Sequence, residues 1–414
     1  MKKMRNNTNF LRTLGTWMAA VLMAISPLTA SAENLFPGGT QEHSEGVTLD
    51  GRWSYYDYGN GTMGVRCKNK ELKHAKIPSE INGKPVTMID SDCFKDNAVL
   101  ESVEIPSTVT YIEDFAFYNC TNLKSLSLPA NLNRIDWQAF YNCSSLTEIT
   151  IPASVTIIEE FVFEGCTSMK EIKVSDANKN FKSQDGVLFD IGMTQLIYYP
   201  PSKEDKTYDI PDGCTKIEDW AFIGSKYLET IDLAGVTEIG EDAFYHCTAL
   251  KSVELPEGLS ELKSATFGSC TALTEVILPF SLDSIGDSAF YSCTSLSSIN
   301  IPGRVDTIGN YAFYNCPSLK SIAINDAVKN IGDFALGFYY DAETESNKRL
   351  PGFVVDTHSG TAAHEYCSVN SIKSTGGITQ SGVFITIIVV IIVLVVGAVV
   401  GILVIQKKVN QPYQ

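Results

Sequence analysis

Seven cysteines recur at one fixed place in a repeating segment, and cysteine can form disulfides, hold a metal or attack a substrate. The segment reads AFYNCTNLKSLSLP at positions 116–129, and near-copies of it follow with a spacing of 23 residues. The cysteine column comprises Cys120, Cys143, Cys166, Cys247, Cys270, Cys293 and Cys316. The column has three possible interpretations, which are a disulfide framework, a zinc site and a set of buried small side chains.

Geometry favours buried thiols for the cysteine column. Equivalent atoms of neighbouring parallel strands lie about 4.8 Å apart, whereas a disulfide requires Cβ atoms roughly 3.5–4.5 Å apart. Zinc ligands must converge at short spacing, and no such cluster occurs. Asn97 and Ser225 also replace cysteine in the column. We predict reduced thiols in the core, no metal and no cofactor. The better disulfide candidates are the cysteines outside the column, namely Cys67, Cys93, Cys214 and Cys367.

An acidic column precedes the repeated Ala-Phe pair. It comprises Asp90, Glu113, Asp114, Asp136, Glu159, Glu160, Glu218, Asp219, Glu241, Asp242, Asp287 and Asp333. A row of carboxylates could bind calcium, but no D-x-D-x-D-G loop is present. We favour a role in capping the first turn of a short α- or 3₁₀-helix that contains Ala-Phe-Tyr.

Two sets of side chains are candidates for binding a partner. The tyrosines that follow the core Phe are expected to point outward, either as a binding stripe or stacked on one another; they are Tyr118, Tyr141, Tyr245, Tyr291 and Tyr314. The second set lies on the outward face of the predicted strands and includes Glu104, Ser127, Thr150, Asp232, Glu254 and Asn300. A shallow concave sheet of small, polar and acidic residues suits a large partner better than an enclosed small substrate.

Signatures of catalysis are missing from the sequence. There is no H-E-x-x-H, G-x-S-x-G or G-x-x-x-x-G-K-[ST] motif. The five histidines show no shared spacing, and they are His43, His74, His246, His358 and His364. We predict that the protein is not an enzyme.

The repeat itself predicts the elements that position these columns. Each unit reads L-x-x-I-x-[IL]-P-x-x-[VL]-x-x-I-[GDE]-x-x-A-F-Y-x-C-x-x, and a period of 23 lies within the 20–29 residues of leucine-rich repeats. One such unit cannot bury its own apolar face, so the units must stack. Ser125–Leu128 and its equivalents are predicted to be parallel strands that end at proline. An insertion of 36 residues separates Phe163 from Phe222.

That insertion, at about 175–210, is predicted to form a β-hairpin. Val187–Asp190 and Thr194–Tyr199 are its strand-like runs. We expect the hairpin to lie on the coil as an extra two-stranded layer.

The repeat resembles the BspA-like class of leucine-rich repeat proteins, which carry the same IP…V..I…AF..C..L pattern. IPSEINGKPVTMIDSDCF is similar to the opening unit of the class, DGVLF…L..YP to its internal insertion, and GTAAHEYCSVNSIKS to its terminal cap. The resemblance covers about residues 67–374 and implies a mostly β repeat solenoid. It also implies a bacterial or microbial-eukaryotic surface protein that adheres to host extracellular-matrix proteins and to other cells.

Both ends of the chain are predicted to be targeting segments. Lys2, Lys3, Arg5 and Arg12, an apolar run and Ala30-Ser31-Ala32 indicate a signal peptide over 1–32. Residues 383–405 are apolar except for one threonine and long enough to cross a bilayer, with Lys407 and Lys408 in the cytoplasmic tail over 406–414. Gly397 and Gly401 offer a spacing that could pair two helices in a homodimer.

The charge of the chain argues against nucleic-acid partners. The net charge is −16, and setting aside four basic residues in the signal peptide and two in the tail leaves −22. Such a surface repels phosphate backbones and anionic lipid.

The predicted domain order has seven segments. They are a signal peptide (1–32), a flexible segment and cap (33–66), leucine-rich repeats (67–350), a C-terminal cap (351–374), a linker (375–382), a transmembrane helix (383–405) and a tail (406–414). We expect a single-pass membrane protein with an extracellular or periplasmic ectodomain that binds proteins in adhesion. A structural or envelope-organising role without a dedicated ligand is the alternative, and a hydrolase is the least favoured.

Overall fold

The computed structural model describes residues 44–375, which form a coil of about 14 turns with a spacing of roughly 23 residues. The predicted repeat solenoid, mostly β, is therefore confirmed. The predicted signal peptide, transmembrane helix and tail, with Gly397 and Gly401, lie outside the described residues. Within 44–375, no helix has both the length and the apolar character needed to cross a membrane.

The coil is built from many short strands. The first half contains β1 (Ser44–Val47), β2 (Trp53–Asp57), β3 (Met63–Cys67), β4 (His74–Lys76), β5 (Glu80–Ile81), β6 (Lys84–Ile89), β7 (Ser102–Glu104), β8 (Tyr111–Ile112), β9 (Ser125–Leu126), β10 (Arg134–Ile135), β11 (Glu148–Ile151), β12 (Ile157–Ile158) and β13 (Glu171–Val174). The insertion supplies β14 (Phe181–Gln184), β15 (Val187–Asp190) and β16 (Gln195–Tyr198).

The second half continues the same pattern and ends in a cap with one helix. Its strands are β17 (Thr207–Asp209), β18 (Lys216–Ile217), β19 (Thr230–Asp232), β20 (Glu238–Ile239), β21 (Ser252–Glu254), β22 (Glu261–Leu262), β23 (Glu275–Ile277), β24 (Ser284–Ile285), β25 (Thr307–Ile308), β26 (Ser321–Ala323) and β27 (Asn330–Ile331). The cap contains β28 (Phe338–Asp341), β29 (Ser346–Arg349), β30 (Val354–Asp356), α1 (Ala362–Asn370) and β31 (Lys373–Ser374).

Two parallel ladders run along the coil, because each turn contributes one strand to each. The first ladder carries the leucine-rich strands in the sheets β4-β7-β9, β11-β13, β17-β19-β21-β23 and β26-β30-β31. The second contains β6-β8-β10-β12, β16-β18-β20 and β22-β24-β25-β27. The register advances by one repeat per strand, as in the pair Glu148 and Glu171. Equivalent residues of successive repeats therefore lie side by side.

The third side of the coil consists of turns. The Phe94 N–H donates to the Ala116 carbonyl at 2.7 Å, and the Phe117 N–H donates to the Ala139 carbonyl at 2.8 Å. The residues before Ala and after Tyr have positive φ, 57° at Phe115 and 59° at Asn119. Two left-handed residues per segment cannot continue a right-handed helix, and they turn the backbone groups toward the neighbouring repeats. The predicted short helix around Ala-Phe-Tyr is therefore wrong.

A stack of aromatic rings fills the centre of the coil. Phe94 and Phe117 lie 5.1 Å apart between ring centroids, and Phe117 and Phe140 lie 5.2 Å apart, with nearly parallel planes. Trp53 covers the exposed face of this stack with an edge-on contact of 5.8 Å to Phe94. A second stack contains Tyr199, Phe222, Phe244, Phe267, Phe290 and Phe313. The faces of each inner ring are covered by rings of the neighbouring turns, so the core exists between turns.

All column cysteines are buried free thiols that donate to the backbone. The Cys120 Sγ–H donates to the Phe94 carbonyl at 3.2 Å, and the Cys316 Sγ–H donates to the Phe290 carbonyl at 3.1 Å. Burial raises the pKa of the Cys120 thiol to about 12. The four cysteines outside the column, Cys67, Cys93, Cys214 and Cys367, which are the better disulfide candidates in the sequence, are also buried free thiols.

The insertion forms the expected hairpin but does not lie on the coil as an extra layer. β15 pairs antiparallel with β16, and β16 pairs parallel with β18 of the next repeat. Leu188 and Tyr198 pack into the first core, while Phe189 and Tyr199 pack into the second. Apolar side chains on both faces explain the difference, because a hairpin with two apolar faces must be covered on both sides. The insertion thus joins two separate cores.

Two further expectations differ from the structure. Residues 44–47, within the segment predicted to be flexible, form β1, because this strand pairs antiparallel with β2. Asn300 was predicted on a strand, but residues 298–300 form none, and the first ladder is interrupted between β23 and β26.

Ser225 provides a test of the cysteine column. Its hydroxyl is buried without a hydrogen-bond partner in the described part of the chain, whereas thiols at equivalent positions donate to the carbonyl of the residue at the Phe position in the preceding turn. We expect Ser225→Cys to raise the free energy of unfolding by about 1 kcal/mol, because it removes an unsatisfied hydroxyl. Urea denaturation measures the change. The control Cys247→Ser should lower stability by about 1 kcal/mol, and a destabilising Ser225→Cys would contradict this account.

Candidate functional site

The outward positions of the first ladder form a surface along one side of the coil, here called the polar strand face. It comprises the exposed side chains of β4, β7, β9, β11, β13, β17, β19, β21 and β23 and the exposed residues that follow these strands. The six residues expected on this face, Glu104, Ser127, Thr150, Asp232, Glu254 and Asn300, are all exposed, although Asn300 lies in the interruption. Inward residues of the same strands, such as Val103 and Ile149, are buried. The alternation follows from the two-residue period of a strand.

Ion pairs between neighbouring turns cross this face. Lys76 lies 2.8 Å from Glu104, and Lys173 lies 2.8 Å from Glu148 of the preceding turn and also from Glu171 of its own strand. Exposed pairs of this kind contribute at most about 1 kcal/mol each. A partner can therefore replace them at little cost.

Phe280 and Ile277 are apolar residues on this surface. The sequence places Ile277 on the predicted strand face, but sequence reasoning missed Phe280. Phe280 is 74% exposed and Ile277 is 40% exposed. Ile277 is the register partner of Glu254 on the adjacent strand. The signal was available in the repeat, because the position after the strand-ending proline is Ala, Ser, Asp, Glu or Gly in other units. A phenylalanine there has no packing role in the repeat.

The tyrosine column is stacked and only partly accessible. Tyr118 and Tyr141 are 4.8 Å apart and nearly parallel, as are Tyr291 and Tyr314 at 5.5 Å. Tyr118, Tyr141, Tyr245 and Tyr291 are half-buried. Tyr314 was expected to point outward, but it is fully buried. The β28–β29 hairpin causes this difference, because the Tyr314 hydroxyl donates to Oδ1 of Asn347 at 2.6 Å.

The acidic column caps backbone groups of neighbouring turns. Oε2 of Glu113 accepts the Ser91 N–H at 2.8 Å, and Oδ1 of Asp219 accepts the Glu241 N–H at 2.7 Å. The capping therefore acts between repeats instead of within a helix. Within residues 44–375, no group of three or more His, Cys, Asp or Glu side chains is arranged to hold a metal ion.

A cavity of about 380 Å³ lies where the insertion joins the two cores. Phe161 and Trp220 line it, with ring centroids 5.6 Å apart, and Ile197 and Tyr198 of the insertion also contribute to its wall. Phe161 and Trp220 both occupy the left-handed position before the Ala-Phe pair of their turns, with φ of 60° and 63°. In an uninterrupted coil these turns would be direct neighbours. Here Tyr198 and Tyr199 of the insertion lie between the Phe163 and Phe222 rings of the two cores, while the Phe161 and Trp220 rings still meet at the cavity wall.

The cavity is acidic, and one of its carboxylates is buried. Its lining includes Glu159, Glu160, Glu164, Glu218 and Asp219. Glu159 pairs with Arg134 at 2.7 Å, and Glu218 pairs with Lys216 at 2.8 Å. Glu164 is 7% exposed, and its side chain accepts no hydrogen bond from the described residues. Burial, with a smaller contribution from Asp242, raises the pKa of Glu164 to about 7.

The described histidines do not form a nucleophilic pair with cysteine. His246 is exposed, whereas its sequence neighbour Cys247 is fully buried. His358 lies 2.8 Å from Asp326, and His74 lies 2.9 Å from the Ser102 hydroxyl. A leucine-rich repeat solenoid of this kind is typically a scaffold for protein binding.

A family model described as the BspA type leucine rich repeat region matches the chain in six copies. The matched residues are 87–187, 202–304 and 267–382. Among curated proteins, none matches the sequence.

Several solved structures are similar to this chain. The pneumococcal vaccine antigen PcpA is 22% identical, with a TM-score of 0.54, and the match covers 82% of this chain and all of that one. A leucine rich cell surface protein from Faecalibacterium prausnitzii A2-165 is 26% identical, with a TM-score of 0.40 and coverage of 73% and 97%. A leucine-rich repeat protein from Bacteroides ovatus is 24% identical, with a TM-score of 0.39 and coverage of 83% and 100%. The similarity to PcpA supports the fold alone.

The buried carboxyl of Glu164 predicts a pH dependence of stability. Its pKa in the folded chain, about 7, lies above the ordinary value of 4.5, so the folded state holds a proton that the unfolded state releases between these values. The free energy of unfolding should therefore fall by about 2 kcal/mol from Glu164 alone as pH rises from 5 to 7.5.

Urea denaturation at several pH values measures this effect. Acidification also relieves general repulsion in the acidic chain, so the decisive quantity is the difference between the parent chain and Glu164→Gln. The variant should show a weaker pH dependence, and the exposed control Glu343→Gln should behave like the parent. Equal pH profiles for the parent and Glu164→Gln would contradict the prediction.

Proposed function

The chain belongs to the BspA-type leucine-rich repeat family, and on this premise we propose that it is a membrane-anchored cell-surface protein that binds other proteins. Binding occurs through the polar strand face, in adhesion to host matrix proteins or to other cells. The single-pass anchor is residues 383–405, and the coil lies outside the cytoplasm.

The observation that carries this proposal is the exposed polar strand face on a fixed coil. Its side chains are held in register by parallel pairing, for example between Ser252 and Glu275 on neighbouring strands. Little ordering entropy remains to be lost when a partner binds such a surface. Solenoids use extended surfaces of this kind to contact macromolecules.

An envelope-organising role without a dedicated ligand is the alternative, and the apolar side chains on the face favour binding. Phe280 and Ile277 expose aromatic and aliphatic surface among polar neighbours. Interfaces derive most of their energy from a few such anchors within a polar rim. A coil that only organised the cell envelope would not require these two exposed apolar side chains.

Binding of the full-length chain to purified matrix proteins and to cells tests the proposal. Saturable binding is expected for at least one of them. The double variant Ile277→Thr and Phe280→Ser should weaken that binding at least tenfold, because it removes the apolar anchors without touching the core. The control Val369→Thr changes an exposed residue of α1 and should have no effect. If no matrix protein and no cell type shows saturable binding, the result would contradict adhesion and favour the envelope-organising role.

Deletion of residues 383–405 tests the anchor. About 20 apolar residues are enough to cross the hydrocarbon core, so the shortened chain should move from the membrane fraction to the aqueous fraction. Fractionation followed by immunoblotting measures this. Retention of the shortened chain in the membrane would contradict anchoring by this segment.

A further inference from the structure

We propose that the cavity between the two cores binds an arginine side chain of a protein partner, with Glu164 as its ion-pair partner and Phe161 and Trp220 against its guanidinium group. The inference rests on the proposed function, since the arginine belongs to the bound protein. It adds a specific site that the regular repeats do not contain.

The cavity has the size and position for one inserted side chain. Its volume of about 380 Å³ lies near the lower end of the range for ligand pockets. Glu160 and Asp219 are exposed at its edge. An approaching cation would meet these acidic residues first and then the apolar interior.

Glu164 indicates that the ligand is a cation. A buried carboxylate is unfavourable unless it is paired or hydrogen-bonded, and Glu164 has no hydrogen-bond or ion-pair partner among residues 44–375. Glu159 and Glu218 already have basic partners in Arg134 and Lys216. Below about pH 7 a proton neutralises Glu164, and above it a positive charge supplied by a ligand can take the place of that proton.

An equivalent turn of the coil shows how an aromatic ring at this position interacts when the chain supplies its own cation. Phe115 occupies the same left-handed position as Phe161 and Trp220. The Lys95 ammonium lies 4.6 Å from the Phe115 ring centroid. Within the described chain, no lysine or arginine lies over Phe161 or Trp220. The two rings of the cavity thus offer cation–π surface that an arginine, which also stacks on aromatic faces, can use.

The same geometry predicts how binding depends on pH. The charge of Asp242 repels that of Glu164, and both carboxyls lose their protons near pH 7, because burial raises the pKa of each to about 7. Burial keeps Tyr141, Cys166 and Tyr198 neutral here by raising the pKa of each. Other charged groups at the rim are Glu159, Glu160, Glu218, Asp219, Arg134 and Lys216. The guanidinium stays charged, so affinity should rise about tenfold from pH 6 to pH 8 as Glu164 ionises.

Calorimetric titration of the full-length chain in mild detergent tests the proposal. The probe is the peptide acetyl-Gly-Arg-Gly-amide, and its matched control carries citrulline, which keeps the shape of arginine without the charge. The arginine peptide should bind at least tenfold more tightly than the citrulline peptide at pH 8. Glu164→Gln should remove most of this preference and the pH dependence, Trp220→Leu should weaken binding several-fold, and Glu343→Gln should leave it unchanged.

Two results would overturn the inference. One is equal affinity for the arginine and citrulline peptides, and the other is unchanged affinity of a folded Glu164→Gln chain, with folding checked by circular dichroism. Tighter binding of a neutral oligosaccharide than of the arginine peptide would also count against it. The comparison of the arginine and citrulline peptides uses the parent chain, so it tests the inference even where a variant does not fold.

The peptide titration and the assay of binding to matrix proteins and cells can fail independently of each other. Saturable binding to matrix proteins or cells together with no preference for the arginine peptide refutes the cavity and leaves adhesion standing. A clear preference for the arginine peptide with no protein or cell bound leaves the cavity and refutes adhesion.

Discussion

Contact between successive turns is the constraint on which the rest of the structure depends. No turn has a core of its own, because each phenylalanine of the stack is covered only by the rings before and after it. The backbone satisfies its polar groups in the same direction, with an N–H of one turn donating to a carbonyl of the next. The left-handed residues on either side of Ala-Phe-Tyr cost conformational energy, and the bonds between turns offset that cost.

This constraint explains why an insertion of 36 residues could not simply be placed outside the coil. Interrupting the stack exposes the faces of Phe163 and Phe222, and each must be covered. Tyr198 contacts Phe163 at 5.7 Å, and Tyr199 stacks on Phe222 at 4.8 Å. Two adjacent tyrosines thus close two cores, because successive residues of an extended segment point to opposite sides. The unsatisfied Tyr199 and Ser225 hydroxyls lie at this joint, where the repeat is least regular.

The sequence predicts the features that recur in every repeat. It misses the features that depend on segments outside the repeat pattern, such as the insertion and the β28–β29 hairpin. The buried Phe and Cys columns, the first ladder and the exposed Glu104 and Asp232 follow from period and alternation alone. The second ladder is not among these predictions, because most of its strands have only two residues. The burial of Tyr314 does not, because it depends on a hairpin in a degenerate unit whose strands carry no repeat signal. The cavity is missed for the same reason. Its walls come from turns that are far apart in sequence, and its shape depends on how the insertion fits between these two turns.

Regularity also limits where specific recognition can arise on such a molecule. In an unbroken stack, equivalent residues lie about 4.8 Å apart, and rings such as Tyr118 and Tyr141 fill the space between turns. A surface of this kind presents the same chemistry at every step and can contact a partner in several registers. A departure from the repeat fixes one register. Phe280 departs from the repeat in residue type, and the cavity at Glu164 departs from it in the spacing of the turns. A partner that contacts both features can therefore dock in only one position along the coil.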